Sequence, residues 1–136
     1  MTTSDYANDK PEIIFAYSRA DAISDGELID LTELSEAMPS LMKCFKVPVA
    51  ITNALYQTIA NIPENCGEYV AGRINDVLFM ASLAARSEKD PEENIKLFKV
   101  LMTDLLGHRK ELKLLLHIGP GDKAEPVITI GFPSDF

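Results

Sequence analysis

Apolar residues return along this chain with two different periods. Between residues 65 and 86, "NCGEYVAGRINDVLFMASLAAR", Cys66, Val70, Ile74 and Leu78 recur every four positions, joined by Val77, Ala81 and Ala85. That spacing draws one wide apolar face and predicts a helix over 65–86, with Asn65 and Glu68 as a capping pair. From Val77 to Ala85 the pattern is apolar nearly all round, so the helix is expected to be central and packed on more than one side. Near the C-terminus the period falls to two. Leu112, Leu114, Leu116 and Ile118 alternate with Lys113, Leu115 and His117, and further on Ile128, Ile130 and Phe132 share a face. Strands over about 112–118 and 126–132 follow.

Other stretches are shorter. "EIIFAY" (12–17) reads as a short strand or a segment laid on the core. Ser18 with Asp21 makes a variant capping box, and Gly26 closes a helix of about two turns as its C′ residue. "ELIDL" then runs extended, with Leu28 and Asp30 on one side and Ile29 on the other. "TELSEAMPSLMKCF" looks like a helical turn capped by Thr32 and interrupted by Pro39. "KVPVAIT" is a brief extended entry to a helix near 52–60 capped by Thr52. After the charged connector "SEKDPEEN" the signals conflict. Asp90-Pro91-Glu92-Glu93 is a good helix start, yet Ile95, Leu97 and Leu101 alternate with Phe98, Val100 and Met102 like a strand buried on both faces. "TDLLGHRKE" reads as a turn with a short helical piece.

"GPGDKAEP" (119–126) raises the possibility of a phosphate cradle. Dinucleotide loops need G-x-G-x-x-G ahead of a helix, and P-loops need G-x-x-x-x-G-K-[ST]. Here Pro120 removes a donor, Asp122 places negative charge where a phosphate would sit, and a strand follows. The stretch is a hairpin connection in which Gly119 and Gly121 supply positive φ and Asp122 closes an Asx turn. Pro126 implies an edge strand or the terminal position of one.

The length of 136 residues suits a flexible tail over 1–11 and a single domain over 12–136. The net charge of −8 is unevenly placed: residues 1–40 hold nine acids against Lys10 and Arg19, and the remainder is close to balanced. Such a field repels nucleic acid and attracts basic partners, or simply keeps a small protein soluble. The short basic run "HRKELK" (108–113) lacks interleaved aromatics. No apolar run reaches bilayer length and the N-terminus lacks signal-peptide features, so a cytoplasmic location is expected. Cys44 and Cys66 read as two buried thiols.

No motif for nucleophilic or metal chemistry stands out; two histidines, His108 and His117, are too few for a persuasive metal site. Catalytic residues, metal and cofactor are all expected to be none. Arg73 and Asp76, at i and i+3 on the central helix, need partners there: an intrahelical ion pair, contacts to a loop, or a place lining a groove. The candidate binding residues are Asp21, Asp25, Glu27, Asp30, Arg73, Asp76 and Asp122.

Four segments in order, "YSRADAISDGELIDLTE", "PVAIT", "GRINDVLFMASLAAR" and "GPGDKAEPVITIGFP", resemble a family of small bacterial proteins of unknown function found in phage, plasmid and other mobile-element settings. The resemblance implies a compact α+β domain and favours "IKLFKVLM" as a strand. It also implies Trp in the central helix and the segment before it, where this chain has Tyr56, Leu78 and Phe79 and no Trp. The expected fold is therefore α+β: an antiparallel sheet of three to four strands (three of them near 95–102, 112–118 and 126–132) packed against helix 65–86, with two or three shorter helices. Three functions fit. The first is a non-enzymatic interaction or regulatory module whose acidic N-terminal third meets a basic protein partner. The second is a DNA-mimic inhibitor of a nuclease or defence complex. The third is a small ligand-binding domain or enzyme with a pocket near Arg73, Asp76 and the 119–125 turn. Exposed strand edges would make a homodimer easy to build.

Overall fold

The computed structural model describes residues 17–34, 37, 39, 41, 44–87 and 94–136. The segments 1–11 and 12–16, most of the Pro39 region and the Asp90–Glu93 helix start lie outside the described residues. Within them, the chain forms α1 (Arg19–Ser24), β1 (Leu28–Asp30), a 3-10 turn (Leu31–Glu33), β2 (Val49–Thr52), α2 (Asn53–Ala60), α3 (Val70–Ala85), β3 (Ile95–Thr103), β4 (Arg109–Pro120), β5 (Pro126–Gly131) and a final 3-10 turn (Pro133–Asp135).

The strands make one five-stranded sheet in the order β1-β2-β5-β4-β3. The fold is α+β, but the sheet is mixed rather than purely antiparallel: β2 runs parallel to β5, while every other pair is antiparallel. The cause is legible in β2 itself. All four of its residues are buried, so it carries no polar alternation and fits only inside the sheet, between β1 and β5. It therefore docks on the open side of the β4–β5 hairpin. Pro126 occupies the first position of β5, an interior strand, where its missing N–H does least harm.

One face of the sheet carries Phe98, Val100 and Met102 of β3, Leu114 and Leu116 of β4, Ile128 and Ile130 of β5 and Val49 and Ile51 of β2. Helices α2 and α3 cover this face, contributing Leu55, Ile59, Ile74, Val77, Leu78 and Ala81 to the same core. On β3 the apolar residues are buried on one face only: Phe98, Val100 and Met102 point inward, while Leu97 and Leu101 stay exposed.

Helix α3 starts at Val70 rather than 65, and its N-cap Tyr69 makes no side-chain cap bond. Asn65 (φ 61°) and Gly67 (φ 80°) hold left-handed conformations that a helix excludes, and Glu68 is drawn elsewhere. Helix α1 follows its expected signals: Ser18 and Asp21 form the capping box. Gly26 (φ 81°) closes the helix, with Gly26 N–H donating to Ile23 and Glu27 N–H to Ala22, a Schellman arrangement. Thr52 caps α2 by accepting from Leu55 N–H. The 3-10 turn, in contrast, is capped by Asp30 and not Thr32; the Asp30 carboxylate accepts from both the N–H and the hydroxyl of Thr32.

The stretch 104–108 is a hairpin turn with no helical piece. Asp104 accepts from Leu106 N–H and His108 N–H, and Gly107 takes φ 85°. In the 121–125 turn the positive φ belongs to Ala124, not to either glycine. At Gly119 a Cβ would meet the His117 ring at 2.7 Å, so any larger residue there would displace that ring.

Candidate functional site

Asp21 and Asp25 come from α1 and its cap, and Glu27 from the following turn. The structure gathers them near the exposed Tyr17, whose hydroxyl donates to Asp25 Oδ2 at 2.6 Å. That hydrogen bond, with the added fields of Asp25, Glu27 and Asp21, pushes the Tyr17 hydroxyl up to about 12. The Schellman turn sets this geometry, because Gly26 reverses the chain and places Glu27 beside the end of α1. Asp25 and Glu27 then line a cleft of about 490 Å³ with Thr52, Asn53 and Asp135. Asp135 arrives from the C-terminal 3-10 turn, accepting from Thr52 Oγ1 at 2.7 Å and Phe132 N–H at 2.9 Å. Three carboxylates thus line one cleft, and among the described residues no basic side chain lines it.

Asp30 and Asp122 serve another group. Arg19 is half-buried; its guanidinium donates to Thr129 Oγ1 and to the Ile128 carbonyl, both at 2.7 Å, and so fastens α1 to β5. Burial lowers the Arg19 pKa from its ordinary value, while the charges of Asp30, Asp122 and Glu125 oppose that shift. Asp122 does not close an Asx turn. It reaches across from the β4–β5 connection to accept the Arg19 and Ala20 N–H groups at 2.9 and 3.0 Å. Together with Ser18, which accepts from Asp21 N–H, it satisfies the orphan donors at the start of α1.

Arg73 and Asp76 lie far from this face. Arg73 is 2% exposed and does not turn to Asp76. Its Nε donates to Glu68 Oε1 at 2.9 Å, and Nη1 to the Thr58 and Ile59 carbonyls at 3.0 and 3.2 Å. Nη2 reaches the Thr103 carbonyl at 2.7 Å and Glu68 Oε1 at 2.9 Å. All five guanidinium donors have acceptors. Thr58 and Ile59 belong to the last turn of α2, so Arg73 puts a cation where the helix dipole is negative and carbonyls lack partners. Glu68 also accepts from the Thr103 hydroxyl and N–H, and Arg109 stands 3.7 Å away. The Thr103 hydroxyl bond is the chief cause of a lowered Glu68 pKa, with the Thr103 N–H and Arg73 adding to it against desolvation.

Asp76 is exposed and lines a cleft of about 430 Å³ beside β3. Arg73 lines a largely apolar cleft of about 420 Å³ with Met102, Leu105 and Leu106, and shares a smaller one of about 300 Å³ with Asp76, Glu68 and Tyr69. Thr103, bonded to Arg73, pairs with Arg109 at one end of β4, whereas Asp122 follows Pro120 at the other. Twelve residues of strand separate those ends by roughly 36 Å. The Arg73–Asp76 region and the 119–125 turn therefore form no common pocket.

Sequence reasoning missed Asp135, Tyr17, Thr103 and the true role of Glu68. Asp135 lies 83 positions from its partner Thr52, and no local spacing marks such a contact. Cys44 and Cys66 are half-buried free thiols rather than fully buried ones. Among the described residues no group of three or more His, Cys, Asp or Glu side chains is arranged to hold a metal ion. No helix among them is long and apolar enough to cross a membrane.

No curated protein and no solved structure gives a match to the chain. One family model does, across residues 6–136. The chain thus belongs to a family of unknown function (DUF6573).

Proposed function

We propose that this protein is a non-enzymatic interaction module in which the acidic face of α1, its closing turn and the C-terminal turn receives a basic segment of a protein partner. The observation that carries the reading is the cleft lined by Asp25, Glu27 and Asp135, with no basic residue among the described ones that line it. Asp21 extends the same negative field toward Tyr17. A Lys or Arg side chain entering this cleft would meet several carboxylates at once, and charge-assisted bonds to carboxylate are among the stronger protein contacts. Asp122, by contrast, is engaged with the first amides of α1 and Asp30 with Thr32, so neither is counted in the binding face. A ligand site at Arg73 has less to recommend it, because every donor of that guanidinium is already engaged.

The partner would act in the cytoplasm, a placement in keeping with two free cysteines and an acidic chain. The regulatory role and the mobile-element setting belong to the same reading. The test is a pulldown from host lysate with the wild type and an Asp25→Asn/Glu27→Gln variant, at low and high salt. A basic protein captured at low salt, released at high salt and lost with the variant is the expected result. A partner retained equally by the variant would overturn the reading.

A further inference from the structure

Helix α3 is apolar on two opposite sides. One side carries Ile74, Val77, Leu78 and Ala81 into the core. The other carries Phe79, Met80 and Leu83, which are 52%, 36% and 46% exposed. A helix covered on one side needs apolar residues on that side only. Among the described residues nothing buries this second stripe. Asp76, Phe79, Met80, Leu83 and Arg86 follow one another at i, i+3, i+4, i+7 and i+10, so they fall within about 120° of the helix surface. Asp76 begins the stripe, and Arg86, the C-cap residue, ends it about 15 Å further along the axis.

The two end charges select the occupant. Both are exposed, and among the described residues neither is in an ion pair. Arg86 donates to the Ser82 carbonyl and hydroxyl, one turn back, both at 3.2 Å. A strongly basic or acidic partner would find one charge to match and one to oppose it. An acid at one end of an apolar stripe and a base at the other is self-complementary, which is what an isologous contact requires. We propose that α3 packs antiparallel against α3 of a second copy, around a two-fold axis at the level of Ala81.

In that register Asp76 of each copy faces Arg86 of the other and Phe79 faces Leu83, while the two Met80 side chains meet beside the axis. A parallel pair would set Asp76 against Asp76 and Arg86 against Arg86, and like charges so placed repel. The contact leaves the acidic face free. Arg19 fastens α1 to Thr129, whose side chain points away from the face on which Ile128 and Ile130 meet α3 and the core. The dimer therefore does not depend on the acidic face binding anything, but it would make that binding bivalent.

Sedimentation equilibrium of the wild type, Leu83→Glu, Asp76→Arg, Arg86→Asp and the double variant Asp76→Arg/Arg86→Asp tests this. All three positions are exposed, and far-UV circular dichroism checks that each variant folds. The expected result is twice the mass of one chain for the wild type and the mass of one chain for Leu83→Glu. Each single charge reversal sets like charges opposite each other and raises the dissociation constant about tenfold, whereas the double variant exchanges the charges and returns to within about twofold of the wild type. A wild type that stays monomeric to about 0.1 mM would overturn the proposal. So would a dimer that Leu83→Glu leaves intact, or a double variant that associates no more tightly than the single reversals.

Discussion

Arg73 is nearly inaccessible to solvent, yet each of its N–H groups has an acceptor, and those acceptors belong to three separate parts of the chain. It ties the end of α2, the approach to α3 and the end of β3 with one side chain. Glu68 is the counter-charge that makes this burial tolerable, since removing one member of a buried pair leaves the other uncompensated. Glu68→Gln is therefore expected to lower stability by about 3 kcal/mol at pH 7. It should also change the acid response. Because the Glu68 pKa is lowered in the folded state, its contribution is complete above the ordinary carboxylate range and is lost as pH falls through the folded value. Denaturation series between about pH 7 and 3 should show a steeper decline for the wild type than for Glu68→Gln; equal slopes would mean that Glu68 is not held in this way. The Tyr17 hydroxyl moves in the opposite sense. Its pKa is raised to about 12, so the bond to Asp25 is intact below the ordinary tyrosine value near 10 and is lost as pH climbs through the raised one. The ultraviolet difference titration of wild type against Tyr17→Phe should place this phenol about two units above normal, and Asp25→Asn should bring it back most of the way. A normal titration in the wild type would show that the acids do not act on Tyr17 as a group.

At the level of elements, α1 is too short to stand alone and is held from outside. Asp122 holds its first amides and Arg19 reaches to β5, so the turn between β4 and β5 and the start of α1 form one unit. Asp122→Ala should cost about 1 kcal/mol and speed amide exchange at Arg19 and Ala20 with little effect on β4. An unchanged exchange rate at those two amides would contradict the assignment. The helix–turn signals around Ser18, Gly26 and Thr52 were readable because caps are local chemistry. Strand β3 could be settled only by resemblance, for its apolar residues fit two periods equally well. The parallel pairing of β2 and the link from Asp122 to α1 were not readable. Both join positions about 80 to 100 residues apart, and no local propensity encodes such a contact. Of the candidate site, charge counting marked only the acidic N-terminal third; it could not separate Asp25 and Glu27 on the cleft from Asp122 beside Arg19, nor place Asp135 next to them.

Across the whole molecule the sheet separates two kinds of surface. The β1 edge adjoins the acidic face, while on the outer face of β3 Leu97 and Leu101 are exposed beside the Lys99–Glu111 pair. The first is the face proposed to receive a basic partner. The sharpest test of the acidic face is residue-resolved: the ¹⁵N-labelled protein titrated with an arginine- and lysine-rich peptide, followed by amide chemical shifts at low salt. The expected shifts are concentrated at Asp21–Glu27, Thr52–Ala54 and Asp135, abolished by Asp25→Asn/Glu27→Gln and weakened by added salt. Shifts centred on the Arg73 cleft, or spread evenly over the surface, would contradict it.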